Sequence, residues 1–135
     1  LTLEEAREVL PFPFVGPRGA GEPEGVYGVL WGSQPVLILQ YETYDLWLTR
    51  GSGFFGKGVP SEVVLAQPRI NGRDAWWIAA GGHETAFFDA AGREVAGSRR
   101  TVEANVLIWQ GAATYYRLET ELPMEEALAI AETLP

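Results

Sequence analysis

The chain has 135 residues with 10 basic and 18 acidic side chains, which gives a formal net charge of −8. A chain of this length fits one domain, and because it contains no cysteine it forms neither a disulfide nor a thiolate metal site. The excess of negative charge opposes a role on DNA, RNA or anionic lipid, since their phosphates repel it.

The N-terminal segment predicts a short helix. Thr2 and Glu5 have the spacing of a capping box, in which each side chain bonds the backbone N–H of the other residue. Apolar residues recur at helical spacing up to Leu10, and Pro11 ends the helix. The sequence starts at Leu1 rather than at a methionine, so we expect the natural protein to extend upstream, where any export signal or membrane anchor would lie.

Strands separated by glycine, proline and asparagine follow the helix. Short connections such as Asn71–Arg73 and Gly111–Ala113 favour antiparallel hairpins, because parallel strands need crossovers of a dozen or more residues. Asn71 and Gly72 both tolerate a positive φ, which makes them the clearest turn. We expect strands at Gly25–Trp31, Val36–Glu42, Tyr44–Arg50, Glu62–Ile70, Asp74–Ala80, Thr85–Asp89, Val106–Gln110 and Thr114–Glu119.

The last residues of the chain predict a second helix with one apolar face. Residues 90–105 contain few aliphatic side chains, so we expect a long hairpin end or a mobile loop there. The predicted architecture is α+β: a single domain over residues 1–135, in which a single curved antiparallel sheet of about seven or eight strands packs against one N-terminal and one C-terminal helix. The apolar face of the second helix contains Met124, Ala127, Leu128, Ala131 and Leu134.

Aromatic side chains alternate along the predicted strands, so that both faces of the sheet are apolar. Trp76 and Trp77, for example, must point to opposite faces. Because two short helices cover only one face, the second face needs a cover of its own. Either the sheet curls on itself or packs a second layer, which is the more common arrangement, or the face forms a groove for a peptide or an apolar ligand. The stripe that would line such a groove contains Trp47, Trp77, Trp109 and Tyr115.

Residues 51–56 read Gly-Ser-Gly-Phe-Phe-Gly and match the dinucleotide-binding pattern G-x-G-x-x-G, with Asp74 about 20 residues further on. That pattern requires a helix that opens at the third glycine and holds the pyrophosphate. Here Gly58, Val59 and Pro60 lead into another predicted strand. We therefore interpret the segment as a flexible loop.

Residues that could support catalysis or bind a metal are few. His83 is the only histidine, follows two glycines and lacks the second histidine of H-E-x-x-H, so we interpret it as a turn residue. No serine lies in G-x-S-x-G, which argues against nucleophilic catalysis. Carboxylates can act in pairs as general acid and base, but near turns they are normally solvated. We therefore expect no enzymatic activity, no cofactor and no metal. The carboxylates considered are Glu42, Asp45, Asp74, Glu84 and Asp89.

Six short segments of the chain follow one another in a recognisable order. They are Ile70–Gly72, Ala75–Ile78, Gly82–His83, Val106–Trp109, Tyr116–Glu119 and Glu125–Leu134. As a set they resemble an uncharacterised domain found at the exported end of bacterial membrane proteins related to anti-sigma factors. The opening T-L-E-E-A followed by P-F-P-F is similar to the start of that domain. Pro123 departs from the family, whose last helix tends to carry a hydroxyl cap, so this helix relies on the preset φ of proline.

The resemblance implies a sensory or interaction domain outside the cytoplasmic membrane, in the periplasm or at the cell surface, and it supplies no catalytic residue. We expect a non-enzymatic binding domain of a membrane-anchored, anti-sigma-like regulatory protein. The alternative is a carrier that holds an apolar ligand in a groove on the curved sheet. The expected partner is a protein or a small apolar ligand rather than nucleic acid, and the membrane is reached only through a segment absent from this sequence. The candidate binding residues are Trp47, Trp77, Trp109, Tyr115 and His83.

Overall fold

The computed structural model describes residues 2–10, 13–31, 34–50, 64–78, 83–85, 93, 100–102 and 104–135. Helix α1 spans Leu3–Val9 and helix α2 spans Met124–Ala131. The strands are β1 Gly25–Trp31, β2 Gln34–Gln40, β3 Tyr44–Arg50, β4 Val64–Ala66, β5 Arg69–Ile70, β6 Arg73–Ile78, β7 His83–Thr85, β8 Arg100–Val102, β9 Asn105–Gln110 and β10 Thr114–Thr120.

Within this described part of the chain, seven strands form an antiparallel sheet in the order β1-β2-β3-β10-β9-β6-β4, and β5 pairs with β6 beside that path. Strand β10 lies between β3 and β9, so residues near the C-terminus occupy the middle of the sheet. Strands β7 and β8 pair separately as a two-stranded sheet. The predicted α+β architecture, an antiparallel sheet with a helix from each end of the chain, is confirmed.

The two helices begin in different ways. At α1 the predicted capping box is confirmed, because Glu5 N–H donates to Thr2 Oγ1 at 3.1 Å and Thr2 N–H donates to Glu5 Oε2 at 2.9 Å. At α2 the N-cap is Pro123, whose side chain makes no capping bond. Its carbonyl oxygen accepts from the N–H groups of Glu126 and Ala127, both at 3.1 Å. The preset φ of −68° at Pro123 therefore replaces a polar cap.

One face of the sheet packs against both helices. Its register places large side chains opposite one another across four strands, since Leu37 faces Leu48, Leu48 faces Tyr116 and Tyr116 faces Trp109. The buried members of this core are Ala6, Phe14, Val26, Leu37, Leu39, Tyr41, Leu46, Leu48, Ile70, Ala75, Trp77, Leu107, Trp109, Tyr116, Leu118, Ala127, Ala131 and Leu134.

The opposite face has a second core, to which neither helix contributes a residue. The apolar members of this second core are as deeply buried as those of the first, with at most 5% of their surface exposed. Arg117 lies within the same face and is also fully buried, and its Nε contacts Glu119 Oε1 at 2.9 Å. The buried apolar members are Val36, Trp47, Ile78, Val106, Ile108 and Tyr115.

The strand predicted over Glu62–Ile70 is wrong as a single element. The structure has β4 and β5, separated by Gln67 and Pro68. Proline has no N–H to donate to a neighbouring strand, so it interrupts the ladder. The Pro68 carbonyl still accepts from Ala75 N–H at 2.9 Å, which keeps β5 close to β6.

Two other predicted boundaries differ in ways that affect the candidate residues. Strand β2 ends at Gln40 rather than at Glu42, so Tyr41 and Glu42 belong to the β2–β3 turn. His83, interpreted from sequence as a turn residue, is instead the first residue of β7 and lies opposite Val102. Residues 79–80, 86–89 and the glycine-rich residues 51–56 lie outside the described residues.

The predicted turn between β5 and β6 is confirmed. Asn71 has φ of 50° and Gly72 has φ of 81°, so both central residues occupy the left-handed region. This combination is typical of a two-residue hairpin turn whose twist matches the flanking strands. The Gly72 carbonyl accepts a hydrogen bond from the Arg69 guanidinium, which closes the turn.

Candidate functional site

The aromatic residues predicted to form one binding stripe are divided between the two faces of the sheet. Trp77 and Trp109 belong to the core beneath the helices, whereas Trp47 and Tyr115 belong to the opposite core. All four are buried, with between 1% and 7% of their surface exposed. The grouping into one stripe is therefore wrong, and whether any of these residues binds a ligand stays a prediction.

The division has a simple physical cause. Alternation within one strand can be read from sequence, but the face that a strand shares with its neighbour depends on register. Trp77 lies opposite Leu107, so Trp109, two residues along β9, joins the Trp77 face. Trp47 lies opposite Arg117 and therefore shares a face with Tyr115.

The carboxylates considered as candidate acid and base groups also lie in different parts of the structure. Glu42 and Asp45 lie near each other at one end of the sheet, where they line the same cleft. Asp74 instead contacts Arg69 at 3.4 Å on the exposed surface. Glu84 lies in β7, and Asp89 is outside the described residues.

The cleft at that end is built around the turn between β2 and β3. Tyr41 N–H donates to the Tyr44 carbonyl at 2.8 Å and closes the turn. Thr120 at the end of β10 donates its hydroxyl to the Thr43 carbonyl at 2.7 Å. Glu24 N–H, just before β1, donates to the Gln40 carbonyl at 2.7 Å. These bonds bring three distant segments together, and we call the resulting concave surface the tyrosine cleft.

Two stacked tyrosines form the centre of the tyrosine cleft. The rings of Tyr41 and Tyr44 have centroids 4.8 Å apart and planes inclined by 29°. Tyr41 is only 8% exposed, and Tyr44 is half-buried. None of the side-chain hydrogen bonds between described residues involves either hydroxyl. The stack therefore offers polar atoms whose hydrogen-bonding capacity is not used by the described chain.

The tyrosine cleft has two lobes that share Tyr41, Glu42, Thr43 and Tyr44. One lobe has a volume of about 520 Å³ and extends along the end of β10. The other has a volume of about 430 Å³ and extends towards the segment before β1. The remaining lining residues are Gln40, Asp45, Ala104, Glu119, Thr120, Glu121, Leu122 and Pro123 in the first lobe, and Ala20, Glu22 and Glu24 in the second.

Every charged side chain among these lining residues is a carboxylate. Asp45 and Glu119 even lie directly opposite each other on β3 and β10, an arrangement of like charges that is unfavourable by itself. The buried Arg117 offsets part of this repulsion through the 2.9 Å contact of its Nε with Glu119 Oε1. The cleft thus presents concentrated negative charge beside an aromatic surface.

The environment of the two tyrosines raises their pKa values further above physiological pH. Burial raises the pKa of Tyr41, and the negative charge of Glu22 raises it further. Burial, together with the neighbouring Tyr41, raises the pKa of Tyr44 to about 12. Both hydroxyls therefore remain protonated and act as hydrogen-bond donors and acceptors rather than as bases.

Sequence reasoning missed the two tyrosines. Their pattern, Tyr41-Glu42-Thr43-Tyr44-Asp45, places two aromatic residues three apart with acidic residues beside them. The strand predicted over Val36–Glu42 places Tyr41 in a strand rather than in the turn. The acidic residues contributed by the segment before β1 and by the end of β10 become neighbours only through the fold.

Comparison with known proteins finds no match to this chain among protein-family models, curated proteins or solved structures. Within the described ranges, no three His, Cys, Asp or Glu side chains are placed to hold a metal ion. Neither α1 nor α2, the helices of those same ranges, is long and apolar enough to cross a bilayer.

Proposed function

We propose that this chain is a non-enzymatic binding domain that acts outside the cytoplasmic membrane as part of a membrane-anchored, anti-sigma-like regulatory protein. Its binding site is the tyrosine cleft. The observation that carries the proposal is the Tyr41–Tyr44 stack in an open cleft whose charged lining residues are all carboxylates. A stack of one buried and one half-buried tyrosine beside the exposed carboxylates of Glu42 and Glu121 favours recognition of a partner rather than a structural role.

The same features favour binding over catalysis. Neutral tyrosines with raised pKa values are poor general bases at physiological pH. A carrier of apolar ligands gains less support, since Trp47, Trp77 and Trp109 are buried and Trp76 is half-buried. The location outside the membrane rests on the sequence resemblance alone.

Location can be tested with the natural full-length protein. These 135 residues contain no cysteine, so a Val9→Cys substitution adds one thiol to this domain, at a residue that is 66% exposed. We expect a membrane-impermeant maleimide to label this thiol in intact cells, with the unsubstituted protein as the control. Labelling that appears only after the cells are permeabilised would place the domain in the cytoplasm and contradict the proposal.

The proposal that the domain has no enzymatic activity has a separate test. We expect the purified chain to show no turnover in a broad screen of hydrolase substrates. Turnover that is lost in Glu42→Gln but retained in Glu8→Gln, an exposed residue on α1, would show that the cleft is catalytic.

A further inference from the structure

We propose that the tyrosine cleft recognises a lysine or arginine side chain presented by a basic segment of a partner protein. This inference rests on the proposed function, because it specifies what the binding domain binds. The exposed carboxylates of Glu42 and Glu121 hold the cationic group, and the Tyr41–Tyr44 stack contacts its aliphatic stem or planar face.

Charge complementarity selects a cation. The lining of the first lobe includes Glu42, Asp45, Glu119 and Glu121, and among its described residues no lysine or arginine is present. Arg117 contacts Glu119 from inside the sheet, whereas Glu42 and Glu121 are exposed to solvent, where a ligand can reach them. Such a concave, single-sign surface concentrates oppositely charged groups, and the chain's charge of −8 reinforces the effect.

The two tyrosines give a second, independent reason to expect a cationic ligand. Tyr41 lines both lobes, is only 8% exposed, and none of the hydrogen bonds among described side chains uses its hydroxyl. Ammonium and guanidinium groups carry only donors, so they can bond carboxylate and hydroxyl oxygens at the same time. Aromatic faces also attract these cations when the two are within about 6 Å.

A protein segment fits better than a bare metal ion. Calcium requires six to eight oxygen ligands in close contact, whereas no group of three suitable metal ligands occurs in the described part of the chain. A lobe of about 520 Å³ that opens to solvent is much larger than one ion. Anionic partners such as nucleic acid and acidic lipid are repelled by the same carboxylates.

The probe is a short blocked peptide of alternating glycine and arginine, and its matched control carries neutral citrulline at each arginine. We expect the arginine peptide to cause saturable amide chemical-shift changes in the ¹⁵N-labelled chain at residues 41–45 and 119–122. The citrulline peptide should cause none, and affinity should fall steeply as salt is raised.

Two double variants distinguish binding by the tyrosine cleft from attraction by the overall negative charge of the chain. Glu42→Gln with Glu121→Gln should weaken binding about tenfold or more, whereas Glu8→Gln with Glu132→Gln removes the same charge at exposed sites outside the cleft and should change it by less than about twofold. Tyr44→Leu should weaken binding, and Tyr44→Phe should retain most of it because the ring remains. Amide spectra of each free variant establish that it is folded.

Four results would overturn the inference: no saturable binding, equal losses in both Glu pairs, equal binding of the citrulline peptide, or the same shifts with calcium chloride alone. Each leaves the proposed function standing if the maleimide experiment places the domain outside the membrane. Conversely, a cytoplasmic location would remove the proposed function while leaving the peptide measurements intact.

Discussion

At the scale of single residues, Trp76 and Trp77 show how neighbours in sequence take different roles. Trp77 belongs to the core beneath the helices, whereas Trp76 is only half-buried. We expect Trp77→Ala to cost ~3–5 kcal/mol of unfolding free energy and Trp76→Ala distinctly less, because only the first leaves a cavity in a closed core. Chemical denaturation measures both. Equal losses would mean that Trp76 is as fully packed as Trp77.

Arg117 is a fully buried charge in the second core. Replacing it by methionine keeps most of the volume but removes the cation that contacts Glu119, so we expect a loss of ~3–5 kcal/mol in denaturant unfolding. Adding Glu119→Leu should restore part of the loss, since the carboxylate that has lost its contact with Arg117 is then removed. If Arg117→Met proves as stable as the natural chain, the ion pair contributes no net stability.

The pKa of Tyr44 makes a prediction about pH. Its folded value of about 12 lies above the ordinary value of 10.0, so the fold favours the protonated ring. The resulting stabilisation is complete below about pH 10 and is lost as pH rises towards 12. We expect the unfolding free energy of the natural chain to fall more steeply over this range than that of Tyr44→Phe. An absorbance titration in which every tyrosine ionises near pH 10 would contradict this.

At the scale of elements, the β5–β6 turn depends on the backbone conformation of Gly72. Its φ is 81°, and a Cβ placed there would meet nothing within 4 Å, so any cost of Gly72→Ala comes from backbone strain rather than from a clash. We expect a loss of ~1 kcal/mol in thermal or chemical unfolding. A neutral or stabilising substitution would mean that the turn adopts another conformation.

Several elements follow directly from local sequence. The capping box at Thr2, the turn at Asn71 and the bounds of β1 and β3 are as expected, because each depends on residues within a few positions of one another. The predictions that are wrong concern Pro68, which divides a strand, and His83, which starts one. Pro68 is a local signal, because proline has no N–H to donate to a neighbouring strand. At His83 the pairing of β7 with the distant β8 determines the outcome, and local composition carries no information about that pairing.

At the scale of the whole molecule, the sheet separates two buried cores. Leu107 and Ile108 are adjacent on β9, point to opposite faces and are both buried. We expect Leu107→Ala and Ile108→Ala each to cost ~2–5 kcal/mol of unfolding free energy, as expected of closed cores. A cost below about 1 kcal/mol at Ile108 alone would mean that the second face is an open, hydrated groove.

The sequence by itself determined the fold class, the antiparallel hairpins, the two terminal helices and the alternation of apolar side chains on both faces of the sheet. These features follow from backbone preferences and side-chain periodicity, which act over a few residues. The tertiary structure alone decided which faces the tryptophans share and which carboxylates meet the tyrosine stack. Those outcomes depend on strand order and register, because β10 enters the middle of the sheet and brings Glu119 and Glu121 to a turn some 75 residues earlier in the chain.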